Sequence, residues 1–389
     1  MAATKPPTLV VIQLTGGNDV LSTVVPYGNP LYYDIRPTVA FKPEQLLRID
    51  DMYGFHPEMA PIKHFWDDGK MAIINGVGYE NPNYSHFRSM DIWYTAEPEK
   101  VSHDGWLGKT VRMMDPHADN VLTAVNFGRG LPRALSLAGV PVASVAELDS
   151  YGLLTALSSV SERQSALEVF GAAYDDGWND MGLPPVKPLS LADRMGPVLS
   201  YMGRTGLDAQ KGADILSSAT KTYQSEVVYP KTPLAASLRG IAQVKMAGLG
   251  TRIFYASIGS FDTHANQMLV HGKLWTELSG AIAAFYEDLK AHDEHEDTII
   301  MLWSEFGRRV MDNGSGTDHG AGGAMFVIGD RIKGGMYGEY PSIRPDDLVG
   351  GNLKYTVDFR SVYGSVLDQW LKIDAQSILN GNFEQFTLV

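Results

Sequence analysis

Six residues able to hold a divalent cation stand in four separate segments of this 389-residue chain: Asp19, Asp262 with His264, Glu305, and Asp318 with His319. Calcium and magnesium require several oxygen donors, whereas zinc accepts carboxylate mixed with imidazole. The set offers both kinds, so zinc, calcium, magnesium and manganese are not distinguished. In Asp262-Thr263-His264, residues two apart on an extended backbone face the same side, and both side chains can enter one pocket. A turn capped by the aspartate is the competing reading; the apolar run just before it favours the ligand role. Thr317-Asp318-His319-Gly320 lies in the glycine-rich stretch 314–323, where little bulk obstructs a ligand, although a plain surface loop has the same composition.

Candidate catalytic residues accompany these ligands. In Pro82-Asn83-Tyr84-Ser85-His86-Phe87-Arg88, a helix starting near Ser85 would turn free N–H groups and its dipole toward an anion, and a nearby metal would make the hydroxyl a nucleophile. Ser85 as an ordinary N-cap predicts the same local geometry. His86 and Arg88 join Ser85 as catalytic candidates. In Ser304-Glu305-Phe306-Gly307-Arg308-Arg309, Arg308 is open to clamping an anion, while Arg309 reads as a structural ion-pair partner. His56 and His103 read as hydrogen-bonded loop histidines. A Ser-His-Asp triad has no Gly-x-Ser-x-Gly elbow to stand on, and the glycine patterns of nucleotide binding are missing too.

Short apolar runs must position these residues. Thr8 to Leu14 reads as a buried strand ending before Gly16-Gly17-Asn18-Asp19, Arg252 to Ser257 as one leading to Asp262, and Thr298 to Trp303 as one ending at Ser304-Glu305. Three strands far apart in sequence thus each deliver an acid, and the acids meet if the strands are parallel neighbours. Lys70 to Val77 and Ala324 to Ile328 read as further strands, the latter ending at Gly329-Asp330. Helices are expected over Pro57–Trp66, Ser85–Tyr94, Leu274–Ala291 and Asp358–Leu371. Short runs from Val121 to Val145 suggest strands and loops capping the core, and 150–249 suggests a helical layer or partial lid. Alternating strands and helices imply one α/β domain over 1–389 with a mostly parallel sheet sandwiched by helices.

Lys+Arg 32 against Asp+Glu 45 gives a net charge of −13, which disfavours nucleic acid as a bulk partner. Without cysteine, thiol nucleophiles, disulfides and zinc–thiolate sites are excluded. No apolar run has the length of a membrane span. Oligomeric state is not legible.

Five ordered segments resemble the bacterial domain-of-unknown-function 1501 family, placed within the alkaline phosphatase-like superfamily. They are Gly16 to Asp19 with Thr23 to Gly28, Ser85 to Trp93, Phe261 to His264, Ser304 to Arg308, and Gly316 to Gly320. The resemblance implies an alkaline phosphatase-like fold, with Asp19 as the first-strand metal ligand and Ser85 at the nucleophile position. It implies further ligands at Asp262, His264, Glu305 and His319. Phe306 replaces the superfamily's second ligand in that motif, which points to a single or rearranged metal site. The absent cysteine excludes formylglycine made from it. Family members usually carry twin-arginine export signals, so an exported protein trimmed of its signal is the expectation.

The function so implied is metal-dependent hydrolysis of phosphate or sulfate esters on a small-molecule or glycan substrate, with Arg88 or Arg308 steadying the anion. A non-catalytic glycan- or ligand-binding protein and a metal-dependent isomerase or mutase are the alternatives.

Overall fold

The computed structural model describes residues 5–146 and 223–389, together with residues 148, 208, 211–213 and 215–216. Its centre is a nine-stranded sheet. In chain order the strands are β1 (Thr8–Leu14), β2 (Met71–Gly78), β3 (Ala124–Phe127), β4 (Ala143–Val145), β5 (Ile253–Ile258), β6 (Thr298–Trp303), β7 (Gly323–Ile328), β8 (Gly335–Tyr337) and β9 (Val357–Asp358). They lie in the order β8-β2-β7-β6-β1-β5-β3-β4, with β9 also pairing β2. Every pairing is parallel except the two made by β7, which runs against β2 and β6.

A strand covered on both faces should read as a continuous apolar run, and TIIMLW of β6 is buried at every position. Alternate residues supply two cores. Val10, Ile12 and Leu14 of β1, with Ile300 and Leu302 of β6, face one layer; Leu9 and Val11, with Ile299, Met301 and Trp303, face the other. The first layer holds the helices α4 (Pro233–Met246) and α5 (Gln267–Ala291), and the second holds α2 (His86–Thr95), α3 (Trp106–Met114) and α6 (Phe359–Ser365). A four-residue helix, α1 (Val20–Thr23), follows β1. The result is the expected mixed α/β architecture with helices on both faces of a mostly parallel sheet.

One expectation is corrected. The 121–145 runs do not cap the core: β3 and β4 extend the same sheet as parallel strands. The Ala324–Ile328 run is a strand as expected, and it is antiparallel, so Asp330 leaves at the edge opposite Asp19, Asp262 and Glu305 and pairs with Lys70 at 2.5 Å. The helical layer expected over 150–249 falls mostly outside the described residues. Within them, α4 buries Leu234, Leu238, Ile241 and Val244 against the sheet layer rather than covering a site.

Strand direction decides where the loops go. β6, β1 and β5 are adjacent and parallel, so the segments after Leu14, Ile258 and Trp303 emerge together. The exit of β2 and the entry to antiparallel β7 lie at that same edge, which brings residues 79–86 and 314–322 beside them.

Arg308 fastens this edge. Its guanidinium has no exposed surface. Nε donates to the Gly17 carbonyl at 2.8 Å and Nη1 to the Thr317 carbonyl at 2.9 Å. Nη2 donates to the Gly16 carbonyl, to the Phe261 carbonyl at 2.9 Å and to Asp262 Oδ1 at 2.6 Å. Three loops from distant parts of the chain therefore close on one planar cation. The approach requires Gly16, whose φ is +121° and where a Cβ would stand 2.3 Å from the Asp262 nitrogen.

Beneath the edge, His56 and His271 are buried with ring centroids 5.4 Å apart, and His56 Nε2 and His271 Nδ1 have no hydrogen-bond partner among the described residues. Burial pushes His56 down to about 3 and His271 down to about 4, from an ordinary 6.5; Asp19 pulls His271 up, against Arg308 and Arg36.

Two outcomes follow for stability. Below about pH 6.5 the unfolded chain takes up protons that these folded histidines refuse, so stability is full above that pH and declines toward pH 4, at up to about 1.4 kcal/mol per pH unit for each histidine. His56→Asn, whose side-chain oxygen can still cap the Glu58 N–H as His56 Nδ1 does at 3.1 Å, should flatten the urea midpoint against pH; an unchanged slope would refute this. Arg308→Lys keeps the charge but loses the fork, and should cost about 3 kcal/mol in urea unfolding. A loss under a few tenths would show that the loops hold without it.

Candidate metal centre

Three imidazoles and one carboxylate meet at this edge. Asp262, in the loop after β5, is half-exposed. Its Oδ1 lies 3.0 Å from His319 Nε2 and 3.1 Å from His264 Nε2, and its Oδ2 lies 3.4 Å from His86 Nε2. His264 and His319 bring their Nε2 atoms within 3.1 Å of each other. Ligand atoms of His86, Asp262 and His319 all fall within 4.8 Å of one another. Phe306 forms a wall behind them, its ring centroid 4.9 Å from that of His86 and 4.7 Å from that of His319.

The far side of each ring is held by an oxygen. His86 Nδ1 lies 2.8 Å from Glu305 Oε1, His264 Nδ1 lies 3.0 Å from Asp318 Oδ1, and His319 Nδ1 lies 2.9 Å from the Tyr84 carbonyl. Asp262 on the inner side and Glu305, Asp318 or the Tyr84 carbonyl on the outer side can only accept, so each ring stands between two acceptors while a neutral imidazole has one hydrogen to give. Positive charge among the Nε2 atoms, as added protons on the rings or as a metal ion, makes good that deficit. By donor type and spacing the residues fit a cation.

The charges agree with this reading. Burial works to raise Asp262, but hydrogen bonds from Arg308 and His319 and the nearby Arg308 charge outweigh it and hold the carboxyl down to about 2. The hydrogen bond to Glu305 raises His86. Asp318 is lowered, chiefly by its hydrogen bond from His264.

The other sequence-derived candidates are placed as follows. Asp19 lies at the same edge but takes no part in the cluster. Its Oδ2 accepts Arg36 Nη1 at 2.6 Å, Gln267 Nε2 at 2.6 Å and the Ser22 hydroxyl at 2.6 Å, and its Oδ1 accepts Arg36 Nη2 at 3.1 Å. Burial opposes ionisation there, yet the Arg36 charge wins and the carboxyl sits at about 2. Arg36, which the sequence reading missed, is fully buried; an apolar neighbourhood in the chain gave no sign of its distant partner. Glu305 is buried behind His86, accepting the Gly16 N–H at 2.8 Å on the oxygen that also meets the ring.

The two arginines expected to steady an anion are held differently. Arg88 spends Nη2 on the Pro98 and Lys100 carbonyls, at 3.0 and 3.1 Å, tying α2 to the next loop, while its Nη1 has no hydrogen-bond partner among the described residues. Arg308 is consumed by the clamp, and it rather than Arg309 makes the ion pair. Arg308 is an interior residue of a short bridge to His319, so its neighbour Arg309 points to solvent.

Ser85 occupies the N-cap position of α2, is exposed, and makes no side-chain cap bond. It adjoins His86 in sequence and leaves the helix's first N–H groups uncovered. Exposed Tyr84 and Phe87 flank it, at 41% and 83%. Among the described residues, no helix is long and apolar enough to cross a membrane.

Comparison with solved structures finds Ps i-CgsB in complex with k-i-k-neocarrahexaose, at 10% identity over 87% of this chain and 69% of that one, with a TM-score of 0.34. A 2-O GAG sulfatase matches at 11% identity over 85% and 65%, with a TM-score of 0.33. A protein in the alkaline phosphatase superfamily from Vibrio parahaemolyticus matches at 8% over 87% and 64%, with a TM-score of 0.34. Likenesses this distant leave the chemistry to be argued from the chain's own residues. No curated protein matches the chain. Residues 189–380 match the model of a family described as Protein of unknown function (DUF1501), a span that takes in the Asp262, Glu305 and His319 segments and leaves the Gly16 and Ser85 segments outside it.

Proposed function

We propose that the protein is a metal-dependent hydrolase of phosphate or sulfate esters, its centre formed by His86, Asp262, His264 and His319. The observation that carries this reading is the convergence of three Nε2 atoms on the Asp262 carboxylate, with the uncapped Ser85 adjoining His86 in sequence. A bound divalent cation supplies Lewis-acid polarisation of the ester and lowers the pKa of a hydroxyl or water beside it.

The chain's own contributions are distinct from the ion's. The first-turn N–H groups of α2 face the anionic ester oxygens, a role that Arg308, buried in the clamp, cannot fill. Ser85, or a water in its place, attacks phosphorus or sulfur as the ester oxygen departs. Arg308 keeps the Asp262 loop in register with Gly16 and Gly17, and Phe306 prevents the His86 and His319 rings from turning. Tyr84 and Phe87 provide apolar surface for the part of the substrate that does not react, which suits an aryl or glycosyl group. Export to the cell exterior belongs to this reading as well, since such substrates are met there.

The test is turnover of aryl phosphate, aryl phosphodiester and aryl sulfate by protein stripped with chelator and then restored with single divalent cations. Activity should vanish on stripping and return on restoration, and Asp262→Ala should lower kcat/KM by about 100-fold or more. Ser85→Ala separates the nucleophiles: a comparable loss assigns the attack to Ser85, a small one to water. Full turnover by Asp262→Ala, or none by the wild type with any cation, overturns the proposal.

A further inference from the structure

A second cavity opens at the same sheet edge, on the far side of β5 from β1, β6 and β7. It is a groove of about 960 Å³ between the ends of β3 and β5 and the first turns of α4, and its lining holds none of the residues gathered around Asp262. Small-molecule sites run to about 300–1,000 Å³, so an extended ligand has room here. The floor is fixed by close packing: a Cβ at Gly240 of α4 would stand 2.3 Å from the Phe127 ring. β5 is buried at every position except Ser257, the one that opens into the groove.

The charge of the lining is one-sided. Arg129, Lys231 and Arg239 contribute to it, and among the described residues no Asp or Glu does, in a chain where acids outnumber bases 45 to 32. All three cations are exposed and make no ion pair among the described residues; Arg239 stands over the Tyr223 ring, 5.7 Å from its centroid. The carboxylate behind that ring, Asp288, is fully buried and is already taken up by the hydroxyls of Tyr223, Ser225 and Tyr229 at 2.6, 2.6 and 2.7 Å. Like charges lining a concave surface focus their field on whatever enters it, so the groove attracts an anion although the protein as a whole repels one.

The remaining lining narrows the ligand. Ser257 and Gln243 have side chains without a hydrogen-bond partner among the described residues, and Ser237 Oγ, which donates to the Pro233 carbonyl at 3.2 Å, can still accept. Hydroxyl groups suit these positions. Nucleic acid would instead need open aromatic faces on which to stack its bases, whereas Phe127 is buried under α4 and the Tyr229 hydroxyl is tied to Asp288.

We propose that the groove is a binding site, separate from the metal centre, for an acidic oligosaccharide, whose sulfate or carboxylate groups meet Arg129, Lys231 and Arg239 and whose hydroxyls meet Ser237, Gln243 and Ser257. It requires no metal and does not depend on the hydrolase reading.

Calorimetric titration of the full chain tests it, with a sulfated dextran oligosaccharide, a polygalacturonate oligosaccharide, unsulfated dextran of equal length and oligothymidylate as probes. A sulfated or carboxylated chain should bind, more weakly as salt rises, and unsulfated dextran should not. Arg129→Ala, Lys231→Ala and Arg239→Ala should each weaken binding by up to about 5-fold, and the triple variant by about 50-fold. Lys372→Ala, close to the opposite end of β1, should change nothing. The three cations are exposed, so their loss leaves the fold intact. Binding should also survive stripping with chelator, which separates this groove from the histidine cluster. Equal binding of unsulfated dextran, an unchanged affinity in the triple variant, loss of binding on stripping, or tighter binding of oligothymidylate than of either acidic saccharide overturns the proposal.

Discussion

A guanidinium shut away from water is tolerable only when nearly all its N–H groups find acceptors, and at Arg308 those acceptors are the carbonyls of Gly16, Gly17, Phe261 and Thr317 with the Asp262 carboxylate. Satisfying that one cation dictates the relative placement of three loops. Gly16 is glycine because the loops must come closer than a Cβ permits. Asp262 is an anion because the cation stands against it, and its remaining face is turned to the histidines. The centre is therefore a by-product of how a buried charge is neutralised.

A second buried pair, Asp19 with Arg36, lies alongside and performs a different task. Asp19 N-caps α1 and gathers Arg36, Gln267 and Ser22, which locks the segment after β1 to α5. Buried pairs of this type add little net stability over an apolar replacement but are costly when halved. Here they enforce geometry. With Phe306 packed against two of the rings, His86 and His319 are held in one arrangement beside Asp262.

Much of the edge was legible in the chain. Thr8–Leu14 and Thr298–Trp303 announce themselves because parallel interior strands are apolar at every position, and an acid just beyond such a run is in the place where α/β folds keep their polar groups. Asp262 and His264 were legible for that reason, whereas His319, which precedes its strand, stood out only by the glycine-rich stretch around it. Less so was anything depending on a partner elsewhere in the chain. Glu305 and Asp19 look alike in sequence as strand-end acids, yet one stands behind a ring and the other is paired with Arg36. Nor could residue types say which of Arg308 and Arg309 faces inward, since adjacent positions in extended backbone alternate and only the phase of the bridge to His319 decides. The reversal of β7 was equally hidden: an apolar run carries no arrow.

That reversal divides the molecule's labour. Because β7 descends where its neighbours ascend, its entry loop brings His319 to the edge shared by Ser85, Asp262 and Glu305, while its exit hands Asp330 to Lys70 at the other end. The lower rim carries none of the donor atoms. Insertions, fused partners or drift in sequence can accumulate there without passing through the chemistry, whereas the upper rim, stitched by one arginine to loops from both halves of the chain, has little freedom to vary one segment at a time.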